Sequence, residues 1–588
     1  MDYPVLEALP ELRDHLFDNK IVILQAPPGA GKSTVLPLEL LGEPWLHGSK
    51  MILLEPRRLA ARAVAHRMAD LKNEDLGQTI GYRIRFETVV TSRTRIEVVT
   101  EGILTRMIQR DNTLNGAGLV IFDEFHERGL QADLALALCL QVRQILRTDL
   151  RILIMSATLD SERLSTLLGN VPVVSCTGKQ FPVEHRYYDF DPQTRIPEKM
   201  TRAVRKALKE NAGDILAFLP GAWEIARTKE LLEKEVIGAT VCVLFGELPM
   251  KKQQEAILPL TDGARKVVLA TSIAETSLTI EGITIVIDSG YSRVPRFDPR
   301  SGLTRLETIR VTKDAADQRA GRAGRLSPGV CYRLWSEGSN SSLVAHRSPE
   351  ILEADLAPLI LELGQWGVKD IKDLTWVTTP PAGAVNQAKE LLHELEAMAN
   401  GRITDKGKKM LHLPTHPRIA HMLLEAGRLG TIIQGLSTDI AALLEERDPL
   451  PREAGADLTL RLETLRKWRT GDRVNADRNA LERIERVAES WRKVFKATVD
   501  NTIPFDKDVG KLLVAAYPER IARQVEKGSE RYKLANGRIA KLPQHDPLTR
   551  ETWLSVAQLD AADGKRIEQG HLLERSGDEE VPKHFVST

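Results

Sequence analysis

"IVILQAPPGAGKST", Ile21 to Thr34, joins a short apolar run to a glycine-rich turn and two hydroxyl side chains. Ile21 to Gln25 has the length and β-branched content of a buried strand. The turn has P-loop form, with Ala26 in place of the usual first glycine. Ala26, Pro27, Pro28, Gly29, Ala30 and Gly31 are the candidate phosphate cradle. Gly29 and Gly31 let backbone N–H groups close round phosphates. Lys32 reaches the terminal phosphates, Ser33 can ligate Mg²⁺, and Thr34 leads into a helix whose N-terminus is positive. The stretch predicts a nucleotide-binding α/β domain.

Working outward, short apolar runs recur at "MILLE" from Met51, "IEVVT" from Ile96, "GLVIF" from Gly118 and "RILIM" from Arg151. Helical patterns fill the gaps, as at Leu59 to Leu71 and Leu130 to Leu146. Continuous apolar strands alternating with helices imply a parallel sheet covered on both faces. The pattern restarts with "DILAFL" from Asp214, "TVCVLF" from Thr240, "KVVLAT" from Lys266 and "TIVIDS" from Thr284. A polar segment, "CTGKQFPVEH" from Cys176, separates the sets. The fold class expected is α/β, two tandem domains with a hinge near 178–182. Mostly helical C-terminal domains follow, and β-like segments, "RYKLANG" and "WLSVAQL", return near the end. "GRITDKGKKML" reads as a hairpin or turn leading into helix.

At 588 residues, about three to five domains are expected. A net charge of +1 gives no bulk signal for a polyanion partner, so any such site must be a local track of Lys and Arg. The four cysteines are far apart without metal or redox spacing, which fits buried reduced thiols and a cytoplasmic setting. No apolar run is long enough to span a bilayer.

"VIFDEFHERG", Val120 to Gly129, ends a core strand on two carboxylates. Beside a P-loop this has a reason. Asp123 holds Mg²⁺ through water, and Glu124 orients and deprotonates the attacking water. Ser33, Asp123 and Glu124 are therefore the candidate metal residues. Adjacent residues of a strand point oppositely, so the pair must sit where the backbone turns. In "QRAGRAGR", Gln318 to Arg325, Arg322 and Arg325 are three apart on a predicted helix and share one face. They are candidate arginine fingers, with Gln318 holding the water.

Asp123-Glu124-Phe125-His126 resembles the Asp-Glu-x-His box of superfamily 2 helicases, with Phe125 where the DEAH name has Ala. "EPRRLAA" from Glu55, "TEG" from Thr100, "SAT" from Ser156, "FLPG" from Phe218, "TSIAETSLTI" from Thr271 and "QRAGRAGR" occur in that family's order. The set resembles the DEAH/RHA group, and within it the bacterial HrpB type. Such proteins usually continue further, so a shortened or short member is expected. The resemblance implies two RecA-like domains, 1–178 and 179–345, then a winged-helix domain, 346–416, a helical bundle, 417–525, and a partial oligonucleotide-binding region, 526–588.

It also implies roles. Arg57, Arg58, Thr100 and Thr271 become RNA contacts. His126, Ser156 and Thr158 couple hydrolysis to domain movement, and Thr279 and Glu281 join the nucleotide site. "GYSRVPRFDPRSGLTRLETIRVT", Gly290 to Thr312, resembles the group's strand-separating hairpin. The implied activity is ATP-dependent, Mg²⁺-dependent movement along single-stranded RNA, 3′-to-5′, with unwinding of tailed duplexes. The alternative is an RNA-stimulated clamp or ribonucleoprotein remodeller that does not unwind processively. The physiological RNA and any activator protein are not legible.

Residues 1–24 contain no glutamine to read an adenine edge. The resemblance instead implies a base sandwiched by Arg67 and Tyr291, and stacking discriminates by roughly tenfold or less. ATP, GTP, CTP and UTP are therefore expected to show comparable kcat/KM. A preference for ATP beyond about a hundredfold would contradict a stacking-only site, since a hydrogen-bonded edge reaches about 10⁴.

Overall fold

The computed structural model describes the chain except residues 1–2, 19–20, 28, 86, 158–160, 177, 179–180, 192, 235–237, 247, 249, 261–262, 276–279, 299–302, 326, 503–505, 560–566 and 573–588. Two compact units emerge. The first comprises residues 1–296, 306–354 and 372–380; the second comprises 297–305, 355–371 and 381–588.

The first unit holds two sheets. The strands of one are β1 (Ile21–Gln25), β2 (Lys50–Glu55), β3 (Ile80–Ile84), β4 (Glu87–Val89), β5 (Ile96–Thr100), β6 (Ala117–Phe122), β7 (Arg151–Ser156) and β8 (Val173–Ser175). Around them lie α1 (Leu9–Asp18), α2 (Val35–Glu39), α3 (Arg58–Lys72), α4 (Glu101–Arg110), α5 (Leu130–Ile145) and α6 (Ser161–Leu167). The sheet order is β4-β3-β5-β2-β6-β7-β1-β8. Every pairing is parallel except the β3–β4 hairpin. The apolar runs predicted as strands form its centre, because burial on both faces demands continuous apolar sequence.

The second sheet contains β9 (Val183–Tyr187), β10 (Asp214–Phe218), β11 (Thr240–Leu244), β12 (Lys266–Ala270), β13 (Ile283–Asp288) and, beyond a hairpin, β16 (Gly329–Arg333). The hairpin is β14 (Tyr291–Asp298) paired with β15 (Leu303–Arg310), as its alternation predicts. The helices are α7 (Ile196–Glu210), α8 (Ala222–Glu233), α9 (Met250–Ile257) and α10 (Lys313–Gly321). The order β11-β12-β10-β13-β16-β9 is parallel throughout. Strand β9 begins inside the polar segment read as a separator. It is an edge strand, and its Glu184 and His185 are exposed, so no apolar run marks it.

Parallel pairing aligns strand ends. Gln25 stands beside Ser156, Glu55 beside Thr100, and Asp123 donates its N–H to the Leu54 carbonyl at 3.0 Å. The P-loop, "PRR", "TEG", "SAT" and the Asp123–Glu124 turn thus share the carboxyl edge, where open α/β sheets bind ligands.

In the second unit, short strands at Met398–Ala399 and Arg402–Ile403 lead into the helix Asp405–Leu411. Longer helices follow at Pro417–Arg428, Thr431–Glu445, Leu458–Arg469 and Arg478–Phe495. The chain then forms a five-stranded antiparallel sheet in which Arg531–Leu534 and Trp553–Leu559 are the segments legible in sequence.

One contact fixes the turn after α10. Gly324 lies against the backbone before β9, and Phe181 donates its N–H to the Gly324 carbonyl at 3.1 Å. A Cβ on Gly324 would fall 2.5 Å from the Phe181 carbonyl oxygen. Gly324→Ala is expected to destabilise the domain by about 1–3 kcal/mol, the usual range for overpacking. An unchanged urea midpoint would contradict this contact.

Candidate nucleotide site

The P-loop leaves β1 with Ala26 buried, its N–H bonded to the Ser156 carbonyl at 3.0 Å. Gly29 and Gly31 have φ of +86° and +91°, which side-chain-bearing residues rarely adopt. Tyr3 packs against Gly31, and Val5 donates to the Ala30 carbonyl at 3.1 Å. Pro27 packs near Gly178. Thr34 stands at the N-terminal boundary of α2 without a side-chain capping bond, and α2 is only 5 residues long and contains Pro37. This helix is shorter than the sequence suggests, because Pro37 removes a backbone donor. Pro28 lies outside the described residues, as do Thr158 and Thr279.

Glu124 follows β6 in left-handed conformation, with φ 49° and ψ 34°. That reversal turns both carboxylates to the same side. Lys32 Nζ donates to Glu124 Oε2 at 3.1 Å and lies 3.5 Å from Asp123 Oδ1. All three side chains are nearly inaccessible to solvent. Burial alone would raise the Glu124 carboxyl, but Lys32, His126 and Arg322 outweigh it and hold it down at about 2. Burial would lower Lys32, and the two carboxylates overcome that and raise it. Asp123 is raised by burial, against the pull of Lys32 and the Ser33 hydroxyl.

The site also contains Glu55, which sequence reasoning passed over. It ends β2 fully buried, raised well above the usual carboxylate range by burial and by Asp123 and Glu124. Its place at a strand's carboxyl end was the available signal. The residues present fit Mg²⁺. Asp123 Oδ2 is buried without a hydrogen-bond partner, and Ser33 is beside the same carboxylate. Among the described residues no group of three or more His, Cys, Asp or Glu could hold a metal by itself. Mg²⁺ characteristically takes one or two carboxylates plus phosphate oxygens, so a triphosphate would complete this set.

The second sheet contributes Arg322 and Arg325. They do not lie on the helix, which ends at Gly321. Residues 322–324 continue as a tighter turn with i→i+3 bonds, because Gly324 is drawn to the Phe181 backbone. Three residues per turn keeps Arg322 and Arg325 on one side. Arg322 Nε donates to the Glu275 carbonyl at 3.0 Å. Burial lowers both guanidiniums, Arg325 to about 10, while Glu124 opposes this in each. Two buried cations beside one carboxylate favour further negative charge.

His126 and Gln318 border the same small polar cavity, with Glu127, Glu275 and Arg347. His126 Nδ1 is 3.5 Å from Glu124 Oε2, and neither ring nitrogen is hydrogen-bonded. Phe125 is buried edge-on to Phe122 at 6.1 Å, with the Arg128 guanidinium 5.7 Å from its ring centroid.

Arg319 is the least legible member. It is fully buried, donating to Glu275 Oε1 at 2.7 Å and Asp288 Oδ1 at 2.7 Å, over the Phe218 ring. Arg347 reaches the other oxygen of Glu275 at 3.0 Å. Its partners come from separate stretches, so no local pattern announces them.

Arg57, expected at RNA, is committed elsewhere. It donates to the Ser272 carbonyl at 3.0 Å and to Glu127 at 3.1 Å, joining the two sheets. Arg58 is exposed, and Thr100 and Thr271 stand half-buried at strand ends. Ser156 is buried at the end of β7. Glu281 is exposed at the amino end of β13, opposite the edge that carries the charged cluster. Arg67 is exposed on α3, whereas the Tyr291 ring lies 5.5 Å from the Arg310 guanidinium and borders a cavity with Ile196, Lys199 and Trp335 on the α7 side. Its neighbour Ser292 takes the opposite face, towards Arg319.

Fold and site together define a P-loop protein of two tandem α/β domains whose charged groups converge from both sheets. The chain matches the DEAD/DEAH box helicase family over residues 7–167 and the helicase conserved C-terminal domain over 198–327. It is 47% identical to the ATP-dependent RNA helicase HrpB of Escherichia coli K12 over 94% of this chain and 65% of that protein. It is 34% identical to the probable ATP-dependent RNA helicase DHR2 of Saccharomyces cerevisiae, over 76% of this chain and 63% of that one. A crystal structure of the Escherichia coli DEAH/RHA helicase HrpB superposes with TM-score 0.84 at 44% identity, over 98% of this chain and 71% of that chain. The chain belongs to the DEAH/RHA helicase family, in its HrpB branch. It spans about two thirds of the length of these two curated relatives.

Near the site, Glu101 begins α4 with its carboxylate against Gly129, where a Cβ would fall 2.8 Å from Oε1. Burial, then Glu350, Glu127 and Asp133, raise it to about 8 against the pull of Arg57. The folded protein therefore holds this proton more tightly than the unfolded chain, whose value is near 4.5. Its contribution to stability is complete below that value and is lost as pH rises through about 8. Glu101→Gln cannot ionise, so its melting temperature relative to wild type is expected to rise steadily from pH 5 to pH 8.5. A difference independent of pH would contradict the burial of this carboxyl.

Proposed function

We propose that this chain is an Mg²⁺-dependent nucleoside triphosphatase that moves 3′-to-5′ along single-stranded RNA and opens tailed duplexes. The observation that carries this reading is the convergence of Lys32, Asp123 and Glu124 from the first sheet with Arg322 and Arg325 from the second. A triphosphate offers Lys32 more charge than the carboxylates it now pairs with. Ser33 and Asp123 would hold Mg²⁺, which would supply positive charge against the phosphates. Glu124 then accepts the proton of the attacking water, and Gln318 orients that water beside His126. Arg322 and Arg325 stabilise charge on the transferred phosphoryl group from the opposite domain.

Arg58, Thr100 and Thr271 contact the RNA backbone at the carboxyl edges of the two sheets, giving affinity without base reading. Arg57 ties that edge to the second domain, so strand binding and domain closure share a side chain. Ser156 and Thr158 transmit the cycle between them. Residues 346–416, 417–525 and 526–588 supply winged-helix, bundle and oligonucleotide-binding elements.

Glu124→Gln keeps the shape of the site and removes its base. Turnover is expected to fall by about 10²–10⁴ with nucleotide binding retained. Near-normal phosphate release would refute the role. Lys32→Ala is expected to weaken nucleotide binding itself, read by fluorescent nucleotide titration.

A further inference from the structure

The chain has eight tryptophans, and Trp223 is the one whose ring stands largely in solvent, at 58% exposure. It lies in the first turn of α8, directly after the Phe218–Gly221 loop that leaves β10. This loop is at the carboxyl edge of the second sheet. Leu219 donates to the Ala270 carbonyl at 2.8 Å, which places the loop beside Thr271 at the end of the neighbouring strand. A guanidinium is fixed at the same turn. Arg293 Nη2 pairs with Glu224 Oε1 at 3.3 Å, and Arg293 lies so close to Gly221 that a Cβ there would meet Nη1 at 2.6 Å. The Arg293 side chain remains 36% exposed.

A large aromatic face in water is costly, and no other large apolar side chain of its turn is exposed to form a packing patch with it, since Ile225 is buried in the core. Ala222 is small and half-buried, while Glu224 and Arg293 are charged. A protein partner would be expected to bind a contiguous apolar patch. Single-stranded nucleic acid instead requires an isolated aromatic face for a base next to a cation for a phosphate. We propose that Trp223 is a stacking platform for one base of the bound single strand, with Arg293 taking an adjacent phosphate. This inference rests on the RNA reading above and extends it. Backbone contacts alone would grip the strand at its phosphates, whereas Trp223 grips a base and prefers no sequence, since every base has a π face.

The test compares wild-type protein, Trp223→Ala and Trp223→Phe, each binding a short oligouridylate and the corresponding abasic strand, by fluorescence anisotropy. Stacking contributes about 1–3 kcal/mol per base, or roughly 5- to 150-fold in affinity. Trp223→Ala should weaken oligouridylate binding within that range, and Trp223→Phe should restore most of it. On the abasic strand all three should bind alike. Equal losses on both strands would overturn the inference, as would unchanged binding by Trp223→Ala while Arg58→Ala weakens it. Failure of wild-type protein to bind either strand would overturn the RNA reading itself.

Discussion

The cluster depends on one constraint: cations from two different sheets are buried around the same carboxylate. Lys32 reaches Glu124 from the P-loop, while Arg322 and Arg325 act on it from the turn after α10. Buried charge is costly unless it is paired, and breaking such a pair commonly costs 3–5 kcal/mol. The cost is met by two long-range arrangements. Parallel strands bring Lys32 and Glu124 to one edge, and Gly324 pulls the arginine turn against the start of β9. Neither sheet could keep this cluster dry alone.

A second layer of ion pairs stiffens the first. Arg319 ties Glu275 to Asp288 beneath the arginine turn, and Arg57 ties Glu127 of the first domain to the Ser272 carbonyl of the second. These contacts run from the strand-edge loops to the phosphate-facing groups.

The strands were legible where burial on both faces forces continuous apolar sequence, as in β1, β2, β5, β6 and β7. They were illegible at edges, where β9 carries exposed polar residues. P-loop and acidic-turn chemistry was legible because each is local: glycines for positive φ, a lysine, then paired carboxylates after a strand. Arg319, Glu55 and the seam role of Arg57 were not legible, since each is defined by partners far away in sequence. Tyr291 shows the same limit. It follows β13, and strand alternation sets its ring on the α7 side, which no local pattern announces.

The central claim is that one active site is assembled from both domains. Steady-state phosphate release by Arg322→Ala and Arg325→Ala tests it most directly, beside nucleotide affinity measured in the same proteins. Arginine fingers typically contribute about 10³–10⁵ in rate, so turnover should collapse while binding through the P-loop persists. A loss below roughly tenfold in both variants would contradict the account.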